Sequence, residues 1–388
     1  MSGDALQLFV QATPGLDEPL QRELATLGCS AKPVTGGLDV AASLDVVQRI
    51  ALESRLAAGL LVRIARFPAQ HLAELHKKAA KLDWKRWLRA DQPVRIDVSC
   101  HASRIYHSGA AKERVANAIA ECFGGAPPAA ATNTPAHGLA KVHVRLDHDL
   151  CTLSLDACGE PLYKRGYKLD TAKAPLRENL AAGLLAMLGW DGTRALVDPM
   201  CGSGTIPIEA ALLARGMAPG ALRRFAFEAW PGHDAARFAE LRARARTPRR
   251  QAPPIVARDR NAGAIAAARA NAERAGVGDA IHFEVAPLSS AAPPTPLGLL
   301  LTNPPYGARI RGGPDLRDLY ASLGKLARGP FAAWDVAFLT SEPTLAHATE
   351  VPTETAGPIV PHGGTKVRLY RIATPLQRPR APRIDGSM

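Results

Sequence analysis

From about residue 175 onward the chain alternates short apolar runs, turns and helix-forming stretches, without a convincing internal sequence repeat. R-A-L-V-D-P-M-C-G-S-G-T leads into I-P-I-E-A-A-L-L-A-R, and P-P-I-V-A-R-D leads into N-A-G-A-I-A-A-A-R-A-N-A-E-R-A-G. I-H-F-E-V, L-G-L-L-L-T and D-V-A-F-L-T supply three further strands. Apolar runs without polar alternation are buried on both faces, and their alternation with helices predicts an α/β domain built on a parallel, doubly wound sheet.

In such a sheet ligands dock at the carboxyl ends of the strands, so the residues that end them are the first candidates for chemistry. The first end is D-P-M-C-G-S-G-T, residues 198–205, where Gly202 and Gly204 let the backbone turn tightly and approach a ligand. No lysine follows the last glycine, and Ile206-Pro207 follow Thr205, which excludes a P-loop and a G-x-G-x-x-G phosphate loop. Alone, the stretch reads equally well as a plain strand-to-helix turn. Asp259 ends the next strand. A carboxylate there suits the two hydroxyls of a ribose, and it also suits a helix N-cap. The glycine loop one strand earlier favours the ribose.

The third end is a break. Leu299-Leu300-Leu301-Thr302 stops at Asn303-Pro304-Pro305-Tyr306, because consecutive prolines remove two backbone donors and fix φ. The Asn303 side-chain carbonyl and the Pro304 backbone carbonyl become fixed acceptors suited to an exocyclic amine. Tyr306 offers a face on which a base can stack.

The first 155 or so residues alternate short strands and helices in an α+β pattern with no glycine-rich nucleotide loop. A strand is expected over 5–12 and a helix through Leu16, Leu20, Leu24 and Leu27 that stops at Gly28. Another helix is expected over 44–61. A long one over 70–90 carries Lys77, Lys78, Lys81, Lys85, Arg86 and Arg89. Residues 221–254 read as a basic, partly irregular insertion into the second half. The net charge of +12 favours a polyanionic partner, nucleic acid first. Cys29, Cys100, Cys122, Cys151, Cys158 and Cys201 form no C-x-x-C pair and no His-Cys cluster with zinc spacing, so reduced thiols and no metal are expected. No basic segment with an apolar run opens the chain, and no apolar run reaches roughly 18 residues. A soluble cytoplasmic protein follows as the expectation.

The three strand ends together resemble the class I S-adenosylmethionine-dependent methyltransferases that modify exocyclic amines through an [N/D]-P-P-[Y/F] motif. Residues 154–185, from S-L-D-A-C-G-E-P-L-Y-K-R-G-Y-K to P-L-R-E-N-L-A-A-G-L-L, resemble the junction in THUMP-containing RNA guanine methyltransferases. The stretch I-D-V-S-C-H-A-S-R-I-Y-H-S-G-A-A-K-E-R-V resembles part of an RNA-binding THUMP domain behind a small ferredoxin-like domain. The resemblance spans nearly the whole chain and points to enzymes forming N2-methylguanosine in large-subunit rRNA, with tRNA enzymes as relatives. It implies an N-terminal ferredoxin-like domain over 1–62, a THUMP-like domain over 63–160 and a Rossmann-like class I methyltransferase domain over 161–388.

By the same resemblance S-adenosyl-L-methionine is the cofactor, RNA the partner and the protein a monomer. Asp198, Pro199, Cys201, Gly202 and Gly204 would line the methionine and ribose side, Asp259 the ribose hydroxyls, and Glu178 and Asn179 the methionine end. Asn303, Pro304 and Tyr306 would hold the target guanine. Two positions depart from the family pattern: Pro287 stands where an acid contacts the adenine amine, leaving Ser289, Ser290 or a backbone group to replace it, and Ala308 stands at a commonly acidic position. Two other readings stay open, amino-methylation of adenine in DNA or RNA, and a non-catalytic RNA-binding factor that keeps a degenerate cofactor fold.

Overall fold

The structure is a computed structural model that describes residues 6–126, 134–170, 176–306 and 316–372. It divides into two units, one made of Met1–Thr13, Asp17–Arg165 and Ala218–Thr247, the other of Pro14–Leu16, Gly166–Met217 and Pro248–Met388.

The first unit is built in the order β1 (Leu6–Gln11), α1 (Asp17–Thr26), β2 (Ala31–Val34), β3 (Gly37–Ala42), α2 (Leu44–Glu53), β4 (Gly59–Pro68), α3 (Leu72–Ala79), β5 (Val94–His101), α4 (Ser108–Phe123), β6 (Ala140–Asp147) and β7 (Leu150–Asp156). Its strands form one seven-stranded sheet in the order β2-β3-β1-β4-β7-β6-β5. Only β5 and β6 run parallel; every other neighbouring pair in this sheet is antiparallel. Strand β4 continues straight across residue 62, the expected limit of the first domain, and pairs with β1 on one side and β7 on the other. Alternation sets the buried face: Leu8 and Val10 on β1, and Val142, Val144 and Leu146 on β6, are inaccessible.

Two helices are shorter than expected, and each has an identifiable stop. The one starting at Leu44 ends at Glu53 because the Glu23 carboxylate accepts the Arg55 and Leu56 amides at 2.7 and 3.3 Å, along with the Ser54 hydroxyl at 2.6 Å. The one expected over 70–90 ends at Ala79, whose carbonyl accepts the Trp84 indole N–H at 2.9 Å. A separate helical turn, Trp84–Arg86, carries Lys85 and Arg86, and Lys81 and Arg89 lie outside both helical segments.

The insertion folds with this first unit. Its aromatic residues pack within that unit. Phe225 and Phe227 stack at 5.1 Å, Phe238 meets Phe227 edge-on at 5.0 Å, and Trp230 meets Trp87 edge-on at 5.2 Å. The buried Arg223 guanidinium donates to the carbonyls of Pro161 at 2.6 Å and Cys158 at 3.0 Å.

The second unit follows with α5 (Glu178–Met187), β8 (Ala195–Asp198), α6 (Thr205–Ala214), α7 (Ala235–Arg246, inside the insertion), β9 (Ile255–Asp259), α8 (Ala262–Ala275), β10 (His282–Val285), β11 (Gly298–Thr302), α9 (Leu316–Arg328), β12 (Asp335–Thr340), α10 (Pro343–His347), β13 (Thr353–Thr355), β14 (Val360–His362) and β15 (Thr365–Ile372). The sheet order is β10-β9-β8-β11-β12-β15-β13, with β14 paired to β15. The first five strands are parallel, and β15 enters antiparallel between β12 and β13. All five residues of β11 and all six of β12 are buried, as strands covered on both faces must be. The order reverses at β8, where β9 lies on one side and β11 on the other, and that switch point opens a crevice at the strand ends.

Candidate functional site

The neighbouring ends of β8, β9 and β11 carry Asp198, Asp259 and Asn303; a bond from Thr302 ties the β11 end to Asp198, and the glycine loop after β8 bonds to Asp259. Asp198 is 1% exposed. Its Oδ1 accepts the Met200 amide at 3.1 Å and the Thr302 hydroxyl at 2.8 Å. Burial pushes its carboxyl up to about 7, and the like charge of Asp259 adds to that, while the two hydrogen bonds oppose it. Asp259 is half-buried; its Oδ2 accepts the Gly202 amide at 3.0 Å and its Oδ1 the Asn261 amide at 2.9 Å. Asn261, in turn, caps α8 through its own side chain. The capping reading of Asp259 therefore belongs to Asn261, and the Asp259 carboxylate is fixed against the glycine loop with lone pairs to spare.

The loop between β8 and α6 turns through left-handed glycines, Gly202 at φ 53° and Gly204 at φ 84°. A Cβ on Gly204 would stand 3.0 Å from the Ala268 methyl, so the loop also needs glycine to lie against α8. Pro199 opens the loop, and the Cys201 amide donates to the Arg258 carbonyl at 2.8 Å. The Cys201 thiol is buried, which pushes it well above its usual range. Glu178 and Asn179 open α5 and are both buried. Glu178 lies by Lys168, whose ammonium is pushed down by burial and drawn back up by the Glu178 and Glu209 carboxylates.

At the end of β11, Asn303 Oδ1 is shielded from water and accepts no hydrogen bond among the described residues. The prolines carry the chain to Tyr306, which packs on the core cluster holding Tyr320, Phe338 and Tyr370. The buried Tyr320 hydroxyl donates to the Pro305 carbonyl at 3.3 Å. Thr302 and Tyr320 are two further side chains that fix these strand ends beyond the expected site residues. The available signal for Thr302 was a hydroxyl at the last position of an otherwise apolar strand; Tyr320 gave none beyond its place on an amphipathic helix.

Of the two serines considered in place of the adenine-contacting acid, Ser290 is committed internally. Its hydroxyl donates to the Pro287 carbonyl at 3.0 Å and accepts from Arg258 at 3.1 Å. Ser289 is exposed. Ala308 and Pro175 lie outside the described residues. The basic residues divide similarly. Lys78 is held by Glu74 at 2.6 Å, Arg89 by Asp91 at 3.2 Å and Arg242 by Glu228 at 2.6 Å, whereas Lys77, Lys81 and Lys85 are exposed. No described helix is long and apolar enough to cross a membrane.

A strand-end carboxylate, a glycine loop bonded to a second carboxylate, and an unfilled amide acceptor in one crevice fit an adenosine-type cofactor beside an amine-bearing base. Residues 165–356 match the family model of the RMKL-like methyltransferase domain, residues 7–58 that of the RlmL ferredoxin-like domain, and residues 69–156 that of the THUMP domain. A ribosomal RNA large subunit methyltransferase K/L of Syntrophotalea carbinolica is 36% identical over 407 aligned positions, covering 99% of this chain and 56% of the relative. The chain spans about half the length of the curated relatives it matches. Among solved structures, a candidate methyltransferase in complex with SAH superposes with a TM-score of 0.83 at 25% identity, covering 95% of this chain and 98% of that one. A Listeria monocytogenes protein described as a predicted N6-adenine-specific DNA methylase gives 0.83 at 28%, covering 96% and 97%.

Proposed function

Because the chain belongs to the RMKL-like methyltransferase family, with RlmL ferredoxin-like and THUMP domains ahead of its methyltransferase domain, we propose that it methylates the exocyclic N2 amine of a guanosine in large-subunit rRNA. The observation that carries this reading is Asn303 Oδ1, a buried acceptor that no described group fills, at a strand end fixed by prolines. The residues fit S-adenosyl-L-methionine, which supplies an electrophilic methyl on its sulfonium. Asp259 would accept the ribose hydroxyls, and the Gly202–Gly204 turn lets the backbone approach the methionine and ribose side.

The guanine amine is a weak nucleophile because its lone pair is delocalised into the ring. Asn303 Oδ1 and the Pro304 carbonyl, each accepting one amine proton, favour a pyramidal nitrogen whose lone pair points away from both. Their work is orientation and charge placement; no strong base is required before transfer, since the nitrogen proton becomes acidic only afterwards. The base must leave its stack to reach a strand-end crevice, and Tyr306 gives it an aromatic face there. Exposed Lys77, Lys81 and Lys85 supply charge for RNA phosphates.

The test is methylation of large-subunit rRNA, tRNA and DNA by the purified chain with labelled S-adenosylmethionine, followed by nucleoside digestion. Label in N2-methylguanosine from rRNA is the expected result. Label in N2-methylguanosine from tRNA alone would move the substrate, and N6-methyladenine would favour the adenine chemistry named for the Listeria neighbour. Asn303→Ala should lower kcat/KM by about 10²–10³-fold with cofactor affinity kept. Full activity in that variant would remove the role given to its side chain.

A further inference from the structure

A second constellation lies in the first unit, at the turn joining β6 to β7. His101 at the end of β5, Asp147 at the end of β6 and His148 in the turn each offer a ligand atom, and these atoms all lie within 4.8 Å of one another. His101 Nδ1 is 3.0 Å and His148 Nδ1 is 2.9 Å from the same oxygen, Asp147 Oδ1. The other oxygen, Oδ2, accepts from the Arg145 guanidinium at 2.9 Å. Two imidazoles therefore converge on one carboxylate oxygen while the carboxylate is oriented through its far side, as a metal-bound carboxylate is oriented by an outer partner.

The backbone is bent to make this meeting. Among the described residues the non-glycine positions with positive φ are Ala102 at 43°, His148 at 51°, Asp149 at 61° and Glu350 at 57°; the first three belong to this cluster. Strained backbone persists only where its surroundings enforce it. Here the two loops are tied together: the His148 amide donates to the His101 carbonyl at 3.2 Å, the Asp149 amide to the Ser103 hydroxyl at 3.0 Å, and the Arg104 amide to Asp149 Oδ1 at 2.7 Å. Both imidazoles are exposed, so water or a phosphate oxygen could complete a coordination sphere.

We propose that His101, Asp147 and His148 form a binding site for a divalent transition-metal ion that prefers imidazole ligands, such as Ni²⁺ or Zn²⁺. The two nitrogens and Oδ1 are spaced as adjacent ligands of one ion, which would replace the Nδ1 proton that each imidazole now directs at Oδ1. Sequence spacing hides the site, because 46 residues separate His101 from Asp147. Parallel pairing of β5 with β6, with His101 opposite Asp147, is what joins them.

The test is calorimetric titration of the untagged full chain with Ni²⁺ alone, chosen because it favours imidazole over the six thiols. One ion should bind, and His101→Gln or His148→Asn should each weaken it at least about tenfold. Asn tolerates the left-handed φ of position 148, so that variant keeps the turn. Cys100→Ser should leave binding unchanged. The proposal fails if the wild-type chain binds no Ni²⁺ at millimolar concentration, or if both histidine variants bind as tightly as wild type while their circular dichroism matches it.

Discussion

At the scale of the residue, Asp198 decides how the crevice responds to pH. A carboxyl raised to about 7 is largely protonated below neutrality in the free protein. A cationic ligand beside it favours the ionised form, so binding must release the proton. The sign follows: cofactor affinity should rise as pH climbs from 5 to 7, by at most about tenfold per unit, and level off above. Asp198→Asn should flatten the profile. Thr302→Val should move the midpoint upward, because the Thr302 hydroxyl favours the ionised carboxylate. Titrations of S-adenosylmethionine across this range, in buffers of different ionisation heat, would measure both affinity and proton release; a flat wild-type profile would contradict the argument. The three strand ends were legible in the sequence because Gly, Pro and Asp interrupt apolar runs visibly. The bond that couples two of them was not, since nothing in a threonine's local sequence says which carboxylate it will meet.

At the scale of the element, the sequence placed most strands and helices but extended two helices too far. Their period persists past Glu53 and Ala79; the stops come from residues distant in sequence or position. Glu23 is the clearer case, a carboxylate on α1 that ends α2 by accepting three donors around Ser54. Burial raises its pKa and the hydrogen bonds lower it, with burial the larger effect. Replacing it with Ala leaves the Arg55 and Leu56 amides and the Ser54 hydroxyl to find other partners. Glu23→Ala should cost about 2–3 kcal/mol in urea unfolding, the penalty of unpaired buried donors less some recovery by water. Glu23→Gln, which keeps an acceptor, should cost less. Equal losses in the two variants would mean that the carboxylate's charge, not its accepting geometry, ends the helix.

At the scale of the whole molecule, the insertion follows its apolar residues and not its place in the chain. Basic residues dominate the sequence of 221–254, but Phe225, Phe227, Trp230 and Phe238 determine where it packs, and they do so within the first unit. The second unit is left continuous across the excursion: the Arg249 amide donates to the Arg215 carbonyl at 2.8 Å, so the two ends of its chain already meet. Replacing 218–247 with a short glycine linker should therefore leave the β8–β9–β11 crevice formed and S-adenosylmethionine binding within about threefold of wild type, since a brief loop adds little closure entropy. The first unit should suffer instead. Trp87 loses its ring partner, the Arg223 bonds to the 158–161 carbonyls vanish, and apolar surface opens. Two-step unfolding, with the earlier transition lowered by several degrees and the later one unmoved, is the expected calorimetric trace. A linker variant that lost cofactor binding while its first unit melted normally would assign the insertion to the wrong half.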